Sequence, residues 1–168
     1  MKRVKSDKKN KSSRGNASQF FVAGELCRRD LVALVTIGNT PNTDILCSNK
    51  EGTKFVHIQV KTFVPGNRTC SVGVKSQKNY GDNFIWVLAG IPHATQDKPF
   101  EYYVIPSSVI ADNVSSAHKM WLSSEGKNGR VRKDGSVRTI HLPPFKSYSG
   151  WSIEKYRDRW DIIENLLK

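Results

Sequence analysis

The chain is poor in the residues that staple small secreted domains and in those that cross membranes. Its three cysteines, Cys27, Cys47 and Cys70, are odd in number, far apart and in no CxxC pair. A disulfide framework and a zinc knuckle both lack their spacing, so a reducing, cytoplasmic setting is expected. No apolar run approaches the roughly 20 residues that span a bilayer, and the charged N-terminus has no apolar stretch ahead of a signal cleavage site. There is no P-loop, no GxGxxG and no GxSxG, which leaves nucleotide hydrolysis and α/β-hydrolase chemistry without footing. His93, His118 and His141 stand at no metal-ligand spacing. Acids are scarce as well, with 15 Asp and Glu against 27 Lys and Arg.

That imbalance is the first positive signal. A formal net charge of +12 and a pI near 9.8 favour a polyanionic partner, because each phosphate neutralised by Lys or Arg releases condensed counterions. Much of the excess sits at the start, where Lys2, Arg3, Lys5, Lys8, Lys9, Lys11 and Arg14 face one acid, Asp7. Residues 1–15 have no hydrophobic periodicity and read as a mobile basic tail. The rest, 16–168, is long enough for one domain with a real core. A second basic stretch, 123–138, carries Arg130, Arg132 and Lys133 among Gly126, Gly129 and Gly135 and reads as an exposed loop.

The periodicities describe an α/β chain. A helix is expected from Asn16 or Ser18, either of which can serve as its cap; it carries Val22 and Leu26 on one face and Glu25 at that face's edge. Residues 31–37, LVALVTI, form a continuous β-branched run suited to a buried strand. Residues 55–63 are the clearest strand, with His57, Gln59 and Lys61 alternating against Val56, Ile58 and Val60. Further strands are expected at 69–74, 84–89 and 101–105. A helix follows from Pro106-Ser107-Ser108, capped by Ser and running to Leu122 as one piece or as two broken near Asn113. A last helix from Ser152 carries Tyr156, Trp160, Ile163 and Leu167 at helical spacing, which suits core packing or the seam of a homodimer.

The organising stretch is 39–62, NTPNTDILCSNKEGTKFVHIQVKT. It reads as a hairpin with Asp44 opening the first strand and Gln59 and Lys61 closing the second. Gln59 and Lys61 share one strand face, so an acid, an amide and an amine converge if the hairpin folds Asp44 against them. An amide and an amine inside a central strand need partners, since burying them unpaired is costly.

The series Glu25 on an early helix, Asp44 after a Pro-containing turn, and Gln59-x-Lys61 at a strand end resembles the PD-(D/E)xK nuclease superfamily. The Gln in place of the middle acid is similar to its Mrr-like and Holliday-junction-resolvase-like branch. The resemblance spans about residues 16–110. It implies a restriction-endonuclease-like fold, a single α/β domain with a central mixed β-sheet flanked by helices. It also implies a magnesium-dependent endonuclease acting on DNA, with manganese as a substitute, sometimes as a homodimer. In that picture Asp44, the Gln59 side-chain oxygen, the Val60 carbonyl and Glu25 hold the metal, which suits a cation that prefers oxygen ligands and keeps several waters. Lys61 orients the attacking water and stabilises the pentavalent transition state. Lys75 and Gln77 correspond to positions that touch phosphate, and Arg130, Arg132 and Lys133 add basic contacts. Gln59 supplies no charge where the commonest form has an acid. A degenerate nuclease fold that binds nucleic acid without cutting it, and an RNA-cleaving effector, are the alternatives.

Overall fold

The computed structural model describes residues 11–37 and 40–168. Helix α1, Lys11–Cys27, leads into β1, Val32–Val35, and β2, Ile45–Ser48. Strand β3, Phe55–Phe63, follows, then β4, Thr69–Ser71, β5, Phe84–Gly90, and β6, Glu101–Pro106. Helix α2, Ser107–Ser123, strand β7, Thr139–His141, and helix α3, Asp161–Leu166, complete the chain. Five strands make one sheet in the order β1-β2-β3-β5-β6, while β4 and β7 form a separate two-stranded ribbon. Only the β3–β5 pair is parallel, so the sheet is mixed and the chain is a single α/β domain flanked by helices, as the sequence implies.

Strand alternation distributes the core into two layers. Val56 and Ile58 of β3 point toward α1, where they meet Val22, Leu26 and the α3 residues Trp160, Ile163 and Leu167. Trp86 and Leu88 of β5 point the other way, toward Ile110 and Val114 of α2. All seven residues of β5 are buried, which explains why FIWVLAG shows no alternation: both of its faces are covered. Tyr156, Trp160, Ile163 and Leu167 are likewise buried. The C-terminal stripe is therefore core of this domain, and its large side chains are not on the surface where a seam between copies would need them.

Several expected boundaries shift. Residues 1–10 of the basic tail, and Gly38 and Asn39 of the turn before Asp44, lie outside the described residues. Helix α1 already runs at Lys11, so residues 11–15 belong to it. Ser18 is no cap: it is fully buried, donates to the Gly15 carbonyl at 2.7 Å and meets Thr62 Oγ1 at 2.5 Å. Helix α2 is unbroken, and Asn113 Nδ2 donates back to the Val109 carbonyl at 2.8 Å instead of interrupting it. Pro106 stands at its N-cap, and Ser107 Oγ accepts the Tyr80 amide rather than capping. The last helix starts at Asp161, preceded by a 3₁₀ turn at Glu154–Tyr156.

The largest departure concerns β1. The apolar run was expected inside the sheet, yet β1 is its outermost strand, with Leu34 59% and Ile37 94% exposed. The register places Leu34 beside Leu46 and, one strand further, His57. Helix α2 packs on β5 and β6, and toward the β1 end of that face Leu34 and Phe55 are exposed. Ile58→Ala, beneath α1, is accordingly expected to lower stability in urea unfolding by about 2–5 kcal/mol. Leu34→Ser is expected to change it by about 0.5 kcal/mol or less. Equal losses for the two would put β1 back inside a core.

Candidate active site

At the end where β2 begins, β3 runs on past its neighbour. The β2–β3 register stops at Ile45 opposite Ile58, and the Asp44 amide donates to the Ile58 carbonyl at 2.9 Å. Val60 is the next β3 residue whose N–H faces this edge, and no β2 residue remains opposite it. The Asp44 carboxylate fills the gap: Oδ2 accepts the Val60 amide at 2.7 Å and the Gln59 side-chain amide as well. Thr36 N–H donates to the Asp44 carbonyl at 2.9 Å, holding the acid's backbone from the β1 side. A carboxylate has thus taken over the last rung of the hairpin ladder.

The surroundings pull on this acid in opposite directions. Burial raises the Asp44 pKa above the ordinary 3.8, against the Val60 hydrogen bond, the positive charge of Lys61 and the Gln59 hydrogen bond. Because burial wins, the ionised carboxylate is under-compensated, and a further cation at its free oxygen is favoured. The Val60 carbonyl points to the same edge as its N–H, since the two groups of one strand residue face the same neighbour. A carboxylate oxygen and a backbone carbonyl therefore share this edge, while Gln59 turns its nitrogen, not the oxygen expected of a ligand, toward the acid.

That set of oxygens is small. Among the described residues no three His, Cys, Asp or Glu side chains cluster as metal ligands. It fits a hard divalent cation that keeps most of its waters and takes further ligands from a substrate phosphate, and it does not fit one demanding a full protein cage. Lys61 leaves β3 on the Gln59 face, its stem lying along β5 and its Nζ 5.8 Å from the centre of the Trp86 ring. Trp86 is 2% exposed, so the surface beneath the ammonium is the face of a buried indole ring. His57, one step further along this face, meets Thr43 Oγ1 at 3.2 Å, an ordinary hydrogen bond behind the cluster.

Glu25 is not brought to this place. It lies on α1, across the sheet from Gln59 and Lys61, paired with Arg28 at 2.9 Å and Arg29 at 3.6 Å. Arg29 in turn reaches Glu164 at 3.7 Å and stacks over Trp160 at 5.3 Å. The spacing that put Glu25 at the edge of an apolar helix face is correct; the layer is the wrong one. Its carboxylate ties α1 to α3.

The predicted phosphate contacts also separate. Lys75 and Gln77 are on a 3₁₀ turn at Val74–Gln77, not at a strand end, because β4 stops at Ser71. Lys75 is exposed, whereas Gln77 accepts from Arg138 Nε at 2.7 Å. Arg130 and Lys133 are exposed as expected. Arg132 lies 4.7 Å from the Trp121 ring centre and 5.5 Å from that of Tyr148. Arg138, expected in the exposed loop, is 5% exposed. Besides Gln77 it serves the Gly135 and Val137 carbonyls and Asp134, and Asp134 meets His118 Nε2 at 2.8 Å. This His118–Asp134–Arg138–Gln77 chain pins the basic loop to α2. The i, i+3 spacing of His118 and Trp121 was its one sequence signal, and loop length alone hid the rest.

No family model matches the chain, and no curated protein matches it either. Among solved structures it is similar to a bacterial homing endonuclease, I-Ssp6803I, with a TM-score of 0.55 and 17% identity over 93% of each chain. The likeness is one of fold, running nearly end to end in both chains.

Proposed function

We propose that this chain is a metal-dependent nuclease that hydrolyses phosphodiester bonds of DNA, cutting internally. The observation that carries the reading is the convergence of Asp44, the Val60 carbonyl, Gln59 and Lys61 at the overhanging end of β3. The surplus of 12 positive charges suits a polyanion, and the homing endonuclease with the similar fold is itself an enzyme of DNA.

In this reading Asp44 and the Val60 carbonyl hold magnesium or manganese, which when bound lowers the pKa of water and neutralises phosphate oxygens. Lys61 is the chain's own contribution to the transition state. Its ammonium stands over the face of a buried indole ring, where a positive charge interacts more strongly with a developing phosphorane than it would in water. Gln59 holds the carboxylate and orients the oxygens that face the metal. A second reading, a binding module that no longer cuts, draws on one observation: the cluster contains a single acid, because Glu25 is spent on two arginines.

Incubating the protein with supercoiled plasmid and with branched DNA, in magnesium, manganese or EDTA, decides between them. Metal-dependent cleavage is expected, with Lys61→Ala slower by about 10²–10³-fold and Asp44→Ala inactive. No cleavage of any DNA, or equal cleavage by both variants, overturns the enzyme reading at this site; degradation of RNA alone makes the chain an RNA-cleaving effector.

The pKa direction yields an independent test. A raised Asp44 pKa means the folded chain holds this proton more tightly than the unfolded chain. Below the unfolded value of 3.8 both states are protonated, so the residue has no effect on stability there. As pH rises through the folded value, the ionised carboxylate becomes a net cost. Asp44→Asn keeps an oxygen for the Val60 amide and is expected to melt higher than the parent near neutral pH. That gap should close below the unfolded pKa. Magnesium or manganese is expected to raise the melting temperature of the parent and not of Asp44→Asn. A cation shift retained in the variant would move the metal elsewhere.

A further inference from the structure

The catalytic cluster leaves unexplained a cavity of about 360 Å³ between the C-terminal half of α2 and β7. Its floor is apolar, from Val114 and Ala117, and two aromatic pairs wall it. On one side His118 and Trp121 stack with ring centres 5.5 Å apart and planes at 23°. Across from them, Tyr148 meets His141 edge-on at 6.3 Å. Burial, helped by the charge of Arg68, holds the His141 imidazole below its ordinary pKa, so it is a neutral ring near neutral pH. Thr139 supplies a hydroxyl at the rim.

These walls select a ligand chemistry. An inorganic phosphate has no use for four rings, and an aliphatic group has none for the imidazole, hydroxyl and guanidinium around the rim. A flat, polarisable ring with polar edges uses both. The guanidinium of Arg132 shows the shape such a group would take, because it lies against both the Trp121 and Tyr148 rings. Its seat is imperfect: Nε is buried without an acceptor, while Nη2 donates to the Glu125 carbonyl at 2.9 Å. A buried donor left unmade costs free energy, so an incoming group that accepts from Nε, or displaces the guanidinium, relieves that cost.

Position supplies the other half of the argument. Thr139 also lines a neighbouring polar groove, whose far side is Thr62 and Phe63, the two residues that follow Lys61 on β3. The groove carries Arg14 and the hydroxyls of Thr69 and Ser71, groups that suit a sugar-phosphate backbone. The groove and the aromatic cavity thus meet at Thr139, and Phe63, which shares the β3 face of Lys61, puts the groove two residues along the strand from that ammonium.

We propose that the cavity is a base pocket, taking one unstacked nucleobase from the DNA strand whose backbone lies at Lys61. The proposal rests on the nuclease reading of the Asp44–Lys61 cluster and adds to it a preference: strands with an unpaired or extrahelical base are held better than continuous duplex. Taking a base out of its stack costs least where it is already unpaired, which makes such a pocket a reader of DNA structure rather than of sequence.

Fluorescence of 2-aminopurine tests this in EDTA, where no cleavage occurs. The probe is placed in a single-stranded oligonucleotide, in a single-nucleotide bulge and in a continuous duplex. Binding is expected to quench the first two and to favour them over the duplex. Tyr148→Ala removes a half-exposed ring and spares the fold, as an unchanged melting temperature will confirm. It is expected to abolish the quench and weaken the first two complexes about tenfold, with duplex affinity unchanged. Trp121→Ala should repeat the pattern. A quench that survives both substitutions, or an equal loss of duplex affinity, overturns the pocket. Competition by dAMP at the affinity of the oligonucleotide would also overturn it, by making a free nucleotide the ligand. Metal-dependent plasmid cleavage and its loss in Asp44→Ala test the nuclease reading separately, so either can fail alone.

Discussion

A single carboxylate oxygen holds the site together. Asp44 Oδ2 replaces the backbone carbonyl that β2 does not provide for Val60, and it takes the Gln59 amide at the same time. The bond settles three things in one place. It satisfies the Val60 amide beyond the last β2 residue, it leaves the second carboxylate oxygen outside both bonds, and it lies at the edge that the Val60 carbonyl also faces. Burial raises the acid's pKa despite those two donors and Lys61. The ionised carboxylate is therefore under-compensated where it stands, because burial outweighs the donors and the ammonium around it.

The sequence made the inner sheet legible and the edges less so. Strand β3 alternates and β5 does not, and each pattern follows from how many of its faces are covered, so both could be read from local composition. Asp44, Gln59 and Lys61 were readable for a related reason: polar side chains at fixed strand parity must find one another or remain unsatisfied. An apolar run by itself does not say whether its strand is central or at an edge, and β1 within 31–37 is an edge strand because it pairs with β2 alone among the described strands. Glu25 fails at the same level. Helical spacing gives a residue's face on its own helix, but the side of the sheet on which the helix lands is decided by the topology of the whole chain.

The basic loop shows a third kind of blindness. Counted as charge, Arg138 looks like its neighbours Arg130 and Lys133; in the structure it is 5% exposed and its guanidinium is shared among two carbonyls, an amide and a carboxylate. Five donors in a rigid fork are what allow one residue to fasten a loop, a helix and a 3₁₀ turn together. Two arginines six positions apart consequently do different things, one bracing the loop and the other lying across two rings at its surface.

On the proposed reading, the part of the sheet that α2 leaves uncovered governs how a substrate arrives. With α2 over β5 and β6 and α1 packed against the opposite face, the Asp44–Lys61 cluster sits on a ledge closed by α1 on one side of the sheet and lying beyond α2 on the other. A roofed channel has to be threaded from a chain end, whereas a ledge can be met from the side at any point along a polymer. On the proposed nuclease reading, circular DNA, which has no ends to thread, is as accessible to this geometry as a linear fragment. The strand that looked like an unprotected flank is, on this account, the way in.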